Sequence, residues 1–247
     1  MKVLVDADIV AFKAAAAVER PIDWGDGLWS LHAYEHEGRD AVTAYLKGVE
    51  AKLGECEFHL FLTSSTNWRK DVLPTYKENR TNTRRPLLLG SLRNWMLNEL
   101  GALLVDRLEG DDLLGIQATD DPENSIIVSE DKDMNTIPAL VFNPAKDDAP
   151  RLISEFEADK YHMLQTLTGD KTDNYDGCPS IGPVTAAKIL DGLTSTVDMW
   201  EAVVAAYAKK KLSEEVALTQ ARVARILRTA DYNKETGEVI LWTPPTS

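Results

Sequence analysis

Cysteine is nearly absent from this chain: Cys56 and Cys178 are the only two in 247 residues. Two isolated thiols argue against a disulfide framework and point to a reducing compartment. With only four histidines beside them, a Cys/His zinc cage is not expected either. Long apolar runs are also lacking, and no stretch approaches the length of a membrane span. The opening Met-Lys-Val-Leu-Val-Asp6-Ala-Asp8 puts two carboxylates where a signal peptide needs its apolar segment. A soluble, cytoplasmic protein with no membrane partner is the expectation. Positive charge is scarce as well: 27 Lys and Arg stand against 40 Asp and Glu, a net charge of −13. That balance speaks against a polyanionic ligand until the placement of the charges is read. Between Asn67 and Trp95 lie Arg69, Lys70, Lys77, Arg80, Arg84, Arg85 and Arg93, against only Asp71 and Glu78. An acidic protein with one basic stretch can hold a polyanion if metal neutralises its carboxylates.

Hydrophobic patterning divides the chain near residue 150. Before it, short apolar runs at 2–5, 58–62, 102–105, 125–128 and 140–142 read as strands. Helical spacing at 9–18, 41–53, 88–100 and 109–118 alternates with them. Residues 20–38, with Trp24, Gly25 and Gly27, read as an irregular connection. Strands alternating with helices predict an α/β fold, a mainly parallel central sheet with helices on both faces. Residues 151–247 read as a helical region. Ser154-Glu155-Phe156-Glu157 is a capping box, Ser195 to Asp198 a looser one, and Ser213 opens a helix carrying Val216, Val223, Ile226 and Leu227. A last short strand is expected at 238–242.

Four acidic knots punctuate this pattern: Asp6-Ala-Asp8, Glu109-Gly-Asp111-Asp112, Asp131-Lys-Asp133 and Asp170-Lys-Thr-Asp173. Singly, each is weak evidence, since Asp-x-Asp is commonly a solvated turn and acids suit any helix start. Together they fall in phase with strand ends and helix openings, and a parallel sheet brings its C-terminal strand ends to one edge. Carboxylates gathered there repel one another unless divalent cations sit among them. Oxygen-only donors select hard ions such as Mg²⁺ or Mn²⁺, and two such ions suit phosphodiester hydrolysis.

Two further segments fit a phosphate-bearing substrate. The Gly/Pro turn from Asp176 through Gly177, Ile181 and Gly182 to Thr185 and Lys188 leads into a helix. It reads either as a plain turn or as a place where backbone approaches phosphate. Pro74-Thr-Tyr76-Lys77-Glu-Asn79-Arg80 alternates basic, aromatic and polar residues, compatible with phosphate grip and base stacking or with a solvated loop.

Taken in order, these motifs resemble the 5′ nucleases: flap endonucleases, the 5′-nuclease domain of bacterial DNA polymerase I and, above all, the short 5′-to-3′ exonucleases of tailed bacteriophages. The matching stretches are Asp6-Ala7-Asp8 with Lys13, Tyr76 to Arg80, Glu109-Gly-Asp111-Asp112, Asp131-Lys132-Asp133, and Gly169-Asp170 to Asp173-Asn174. Ile181-Gly182 with Thr185, Asn67-Trp68-Arg69 and Ala224 to Arg228 complete the likeness, which runs from Val3 to Trp242. It implies a metal-dependent 5′-to-3′ exonuclease or structure-selective flap endonuclease. Asp6, Glu109, Asp111 and Asp112 would hold one Mg²⁺, and Asp131, Asp133, Asp170 and Asp173 a second, with Mn²⁺ a substitute. Lys77, Arg80 and Lys13 are the implied catalytic cations, Lys77 and Arg80 within a basic arch near 66–90. Arg69, Tyr76, Arg84, Gly177, Ile181, Gly182, Thr185 and Lys188 are the implied DNA contacts. The last five belong to a helix-three-turn-helix that often carries K⁺. The implied partner is DNA with a 5′ end or flap, met by a monomer, in host cytoplasm for a phage protein. The family's usual acid after the 58–62 strand is replaced by Ser64, and Asp8 is expected to restore part of that charge, directly or through a metal-bound water. An aspartyl-nucleophile phosphatase, a metal-dependent ribonuclease and a non-catalytic DNA binder are the rival readings. The first does not account for Tyr76 to Arg80 or the 177–185 turn, the second lacks the helical C-terminal half, and cleavage assays under metal titration separate the third.

Overall fold

Val3, Leu4 and Val5 are all buried, the mark of a strand covered on both faces. That strand, β1 (Lys2–Asp6), stands inside the sheet of a computed structural model that describes residues 1–82 and 84–245. After it come α1 (Ala7–Ala17), β2 (Arg20–Asp23), β3 (Trp29–His32), α2 (Glu35–Leu53), β4 (Glu57–Phe61) and a one-turn α3 (Arg69–Val72). Then follow α4 (Leu89–Glu99), α5 (Gly110–Asp120), β5 (Ser125–Val128), β6 (Leu140–Phe142) and β7 (Arg151–Leu152). The rest is α6 (Glu155–Thr168), α7 (Pro183–Ile189), α8 (Thr196–Lys209), α9 (Glu214–Ala224) and the paired β8 (Tyr232–Asn233) and β9 (Glu238–Val239). Thr83, within the expected arch, lies outside the described residues.

The sheet order is β4-β1-β5-β6-β7, with the first four strands parallel and β7 an antiparallel edge. Val5 pairs with both Leu60 and Val128, so β1, β4 and β5 end at one edge. Alternation along each strand sends Val3, Val5, Ile126 and Val128 into a layer with α1, α2 and α4. Leu4, Phe61, Ile127 and Val141 go into a second layer with α5 and the start of α6. A third apolar cluster joins α6, α7, α8 and α9. The tail does not stay with that third cluster, because Ile226 and Leu227 pack into the second layer against α5 residues. No helix among the described residues is long and apolar enough to cross a membrane.

Several local expectations need correcting. The stretch 20–38 is a β2–β3 hairpin followed by the start of α2. Gly25 and Gly27, both at positive φ, suggest a loop, and they do make the turn, but the residues flanking them pair. The strand expected at 102–105 contracts to one parallel bridge between Leu103 and Phe61, since the chain touches β4 only there. Ser213 precedes α9 without a side-chain cap bond, and α9 stops at Ala224, leaving Ile226 and Leu227 in extended chain. The last strand spans only Glu238–Val239.

Candidate active site

The acidic knots are positioned by the starts of elements. Asp6 ends β1 and caps α1: its Oδ1 accepts the Ile9 N–H at 3.1 Å and its Oδ2 accepts the Ser129 hydroxyl at 2.9 Å. Asp131 caps a 3₁₀ turn and accepts the Asp133 N–H at 2.9 Å. Glu109 is the N-cap of α5, with Asp111 and Asp112 in its first turn. Asp170 and Asp173 lie on the turn after α6, where Asp170 accepts the Thr172 N–H at 2.7 Å and bridges to Tyr175.

The basic segment crosses onto these acids. The Lys77 N–H donates to the Asp173 carbonyl at 2.9 Å, and its ammonium pairs with Glu109 and lies 3.4 Å from Asp173. Lys77 adopts φ 55°, a left-handed conformation that costs a side-chain-bearing residue energy and so needs its surroundings to hold it. Arg80 pairs with Asp173 and donates to the Thr172 carbonyl at 3.2 Å. Asn79 and Asn174 stitch the two segments together through the carbonyls of Lys171 and Thr75, at 2.8 and 2.7 Å. Lys132 reaches Asp170 at 2.9 Å, and the exposed Lys13 pairs with Glu130, the neighbour of Asp131.

Two charge neighbourhoods result. Burial, then the charges of Asp6, Asp131 and Glu109, push the Asp111 carboxyl well above its ordinary range. Burial lifts Asp6 to about 6 against the hydrogen bonds it accepts. In the other neighbourhood, burial and then Asp131 lift Asp133 to about 7, with Asp170 and Asp173 adding to the repulsion. Glu109 goes the other way: burial opposes its ionisation, but Lys77 and Arg69 outweigh it and bring the carboxyl to about 2. Among the described residues, no three of these acids close on one point as they stand. Lys77 stands between Glu109 and Asp173, and Lys132 between Asp133 and Asp170. The donors nevertheless suit a hard divalent ion, being all carboxylates and mutually repulsive. Gln165 donates to Asp133 at 2.7 Å and leaves its own Oε1 buried without a partner among the described residues.

Some expected site residues have other duties. Arg69 and Tyr76 are each only 2% exposed, so neither can meet DNA in this arrangement. Arg69 is sealed in by Asp112, and the Tyr76 hydroxyl donates toward Glu109 and Asp173, at 2.9 Å each. Asp112 is fully buried, both oxygens engaged by Arg69, which leaves none turned to a metal. Arg84 is exposed and paired with Glu19. Asp8, expected to make up for the acid missing at Ser64, accepts the Thr63 N–H at 2.8 Å and pairs with Arg93 beside the start of α5, while Ser64 bonds Asp106 at 3.2 Å. In the 177–185 turn, Gly182 caps α7 with open space around it, and Thr185 and Lys188 are exposed. Ile181 instead packs into the third cluster. Gly177, at φ 66°, lies so close to Gly169 that a Cβ would stand 2.2 Å from the Gly169 nitrogen. Ser129, Glu130 and Gln165 belong to the site without having been expected there. The polar run ahead of Asp131 was the available signal for the first two, whereas Gln165 carried none. A cleft of about 480 Å³ between Trp68, Arg107 and the 237–241 segment lies elsewhere, and no acidic candidate lines it.

No family model matches the chain. It is 28% identical to an exodeoxyribonuclease of Enterobacteria phage T3, across 98% of this chain and 92% of that protein. It is 27% identical to an exonuclease of Escherichia phage T7, across 98% and 93%. The fold matches that of the D15 protein of bacteriophage T5, crystallised with metal ions, at a TM-score of 0.62 and 13% identity, over 90% of this chain and 88% of that one. These likenesses support a 5′ nuclease family close to the phage exonucleases. Within that 5′ nuclease fold, the acidic knots, Lys77 and Arg80 all lie where α5, the 131–136 turn and the turn after α6 face one another.

Proposed function

We propose that this protein is a divalent-metal-dependent 5′ nuclease that hydrolyses DNA phosphodiesters from a 5′ end or flap, working 5′ to 3′. The observation that carries this reading is the meeting of the Lys77–Arg80 segment with Glu109 and Asp173. It supports a cation-lined phosphate site directly against the carboxylates. Asp6, Glu109 and Asp111 would hold one Mg²⁺, and Asp131, Asp133, Asp170 and Asp173 a second, with Mn²⁺ able to replace it. Asp112 supports the first set from behind. Bound there, the ions supply Lewis acidity and charge neutralisation to the reacting phosphodiester.

The chain's own groups do the rest. Lys77 and Arg80 orient the scissile phosphate and offset its charge. Lys13 neutralises Glu130 beside Asp131. Gly182, Thr185 and Lys188 grip duplex backbone, and the helix-three-turn-helix they belong to would hold K⁺. Contacts to backbone alone make cleavage independent of sequence. The protein acts as a monomer in the cytoplasm, with residues 1–150 as the nuclease core and 151–247 as the DNA-binding region. An aspartyl-nucleophile phosphatase gains no support, since Asp8 is tied to Arg93 and Thr63. The deciding assay uses end-labelled duplex, 5′-flap and single-stranded DNA with Mg²⁺. Short 5′-derived products, lost with chelator, are expected; release of phosphate from small esters without DNA cleavage would overturn the reading.

A further inference from the structure

Arg69 uses every N–H of its guanidinium inside the protein. Nε donates to the Val223 carbonyl at 2.9 Å, Nη1 to Asp112 Oδ2 at 2.8 Å and Glu109 Oε2 at 3.2 Å, and Nη2 to Asp112 Oδ1 at 2.7 Å and the Arg225 carbonyl at 2.6 Å. That accounts for all five donors an arginine has. The groups it joins come from opposite halves of the chain, the acidic start of α5 and the segment leaving α9. The same two meet again without Arg69. Asp112 accepts the Leu227 N–H at 3.2 Å, and at Gly115 a Cβ would stand 2.3 Å from the Leu227 carbonyl. Further along α5, the Thr119 hydroxyl accepts the Thr229 N–H at 2.8 Å. Residues 112, 115 and 119 share one helix face, so the tail lies along α5 as a strap.

Glu109 shows what the strap holds. Its Oε2 accepts from Arg69 at 3.2 Å and from the Tyr76 hydroxyl at 2.9 Å, while its Oε1 pairs with Lys77 on the acidic side. One oxygen is anchored and the other is presented. We infer that Arg69 is a positioning residue, not a DNA contact: it registers the tail segment 223–227 against α5 and so aims Glu109 Oε1 into the metal site. The inference rests on reading Glu109 as a ligand in a DNA-cleaving site.

Arg69→Lys keeps the charge but cannot make the bidentate contact to Asp112. Trp68→Phe removes only the indole donor to Asp112, which now stands at 3.0 Å. Each variant is measured three ways: Mn²⁺ affinity of the free protein by calorimetry, affinity for a 5′-flap duplex without divalent ion, and single-turnover cleavage. Arg69→Lys should weaken Mn²⁺ binding about tenfold and slow cleavage at least as much, with DNA affinity within about twofold of wild type. Trp68→Phe should shift the same two quantities by about threefold, and it decides alone if Arg69→Lys does not fold. Unchanged Mn²⁺ affinity with only a lowered Tm, or a tenfold loss of DNA affinity with metal binding intact, would overturn the inference. Wild-type protein that neither binds Mn²⁺ nor cleaves the flap would instead overturn the nuclease reading on which it stands.

Discussion

The main-chain N–H of Lys77 donates to the carbonyl of Asp173 at 2.9 Å, joining residues 96 positions apart among the acidic knots. This bond fixes the basic segment to the turn that carries the fourth acidic knot. The Lys77 and Arg80 side chains then fall on Glu109 and Asp173. A flexible loop closing over a distant site would not produce that registration.

Replacing Lys77 or Arg80 with Ala should therefore slow the chemical step more than it weakens duplex binding. A loss of about 10²–10³-fold in single-turnover rate fits removal of one cationic donor to a reacting phosphate. Affinity for duplex, which the proposed reading assigns to Gly182, Thr185 and Lys188, should change by less than about tenfold. Equal losses in affinity, with the single-turnover rate unmoved, would make both residues ordinary backbone contacts.

Asp111→Asn and Asp131→Asn should each abolish cleavage while leaving DNA binding intact or tighter. Asp111 is already disfavoured as an anion by burial and by Asp6, Asp131 and Glu109, so neutralising it relieves repulsion in the metal-free protein. Gel-shift affinity and cleavage, measured on the same preparation, give the two arms. Near-normal turnover in either variant would remove that residue from the metal site.

Metal-free stability should depend on pH through Asp133. Its carboxyl is raised from 3.8 to about 7 in the folded protein. Between those values the folded state keeps a proton that the unfolded state has released. The resulting stability is present at low pH and is lost as pH rises through 7. His162, lowered from 6.5 to about 3 by burial, acts in the opposite sense. A comparison of wild type with Asp133→Asn isolates the carboxyl. The variant should gain on the order of 4 kcal/mol over wild type at pH 8 relative to pH 4. Millimolar Mg²⁺ should raise the wild-type Tm more at pH 8 than at pH 5, because ions compete with protons for the same oxygens. A pH-independent difference between the two proteins would contradict the burial of Asp133 among acids.

Gly177→Ala should be severely destabilising. The added Cβ would stand 2.2 Å from the Gly169 nitrogen, at a φ of 66° that alanine disfavours. Gly182→Ala, with nothing within 4 Å of its Cβ, should fold normally and lose only duplex affinity. A loss of roughly 3 kcal/mol or more for the first and under about 1 for the second is expected from thermal melts. Equal stability of the two variants would mean that the Gly169–Gly177 contact is not formed in solution.

Local chemistry is what the sequence by itself determined. The strand and helix periods, the capping box at Ser154 and Glu157 and the alternation that splits β1 between two layers are written in nearest neighbours. So is the placement of Asp6 and Asp131 at element starts, because an acid there caps a free N–H whatever lies elsewhere. The partner of each charge depended on tertiary structure. Arg69 and Arg80 are alike as letters in a basic stretch, yet one is buried against Asp112 and the other lies exposed on Asp173. Asp111 and Asp112 are adjacent, but a helix turns them about 100° apart, one toward the acids and one toward Arg69 and the tail. Which side faced the other acids and which faced the strap was settled only when residues 223–227 folded back along α5, a contact between segments more than a hundred residues apart that no local pattern encodes.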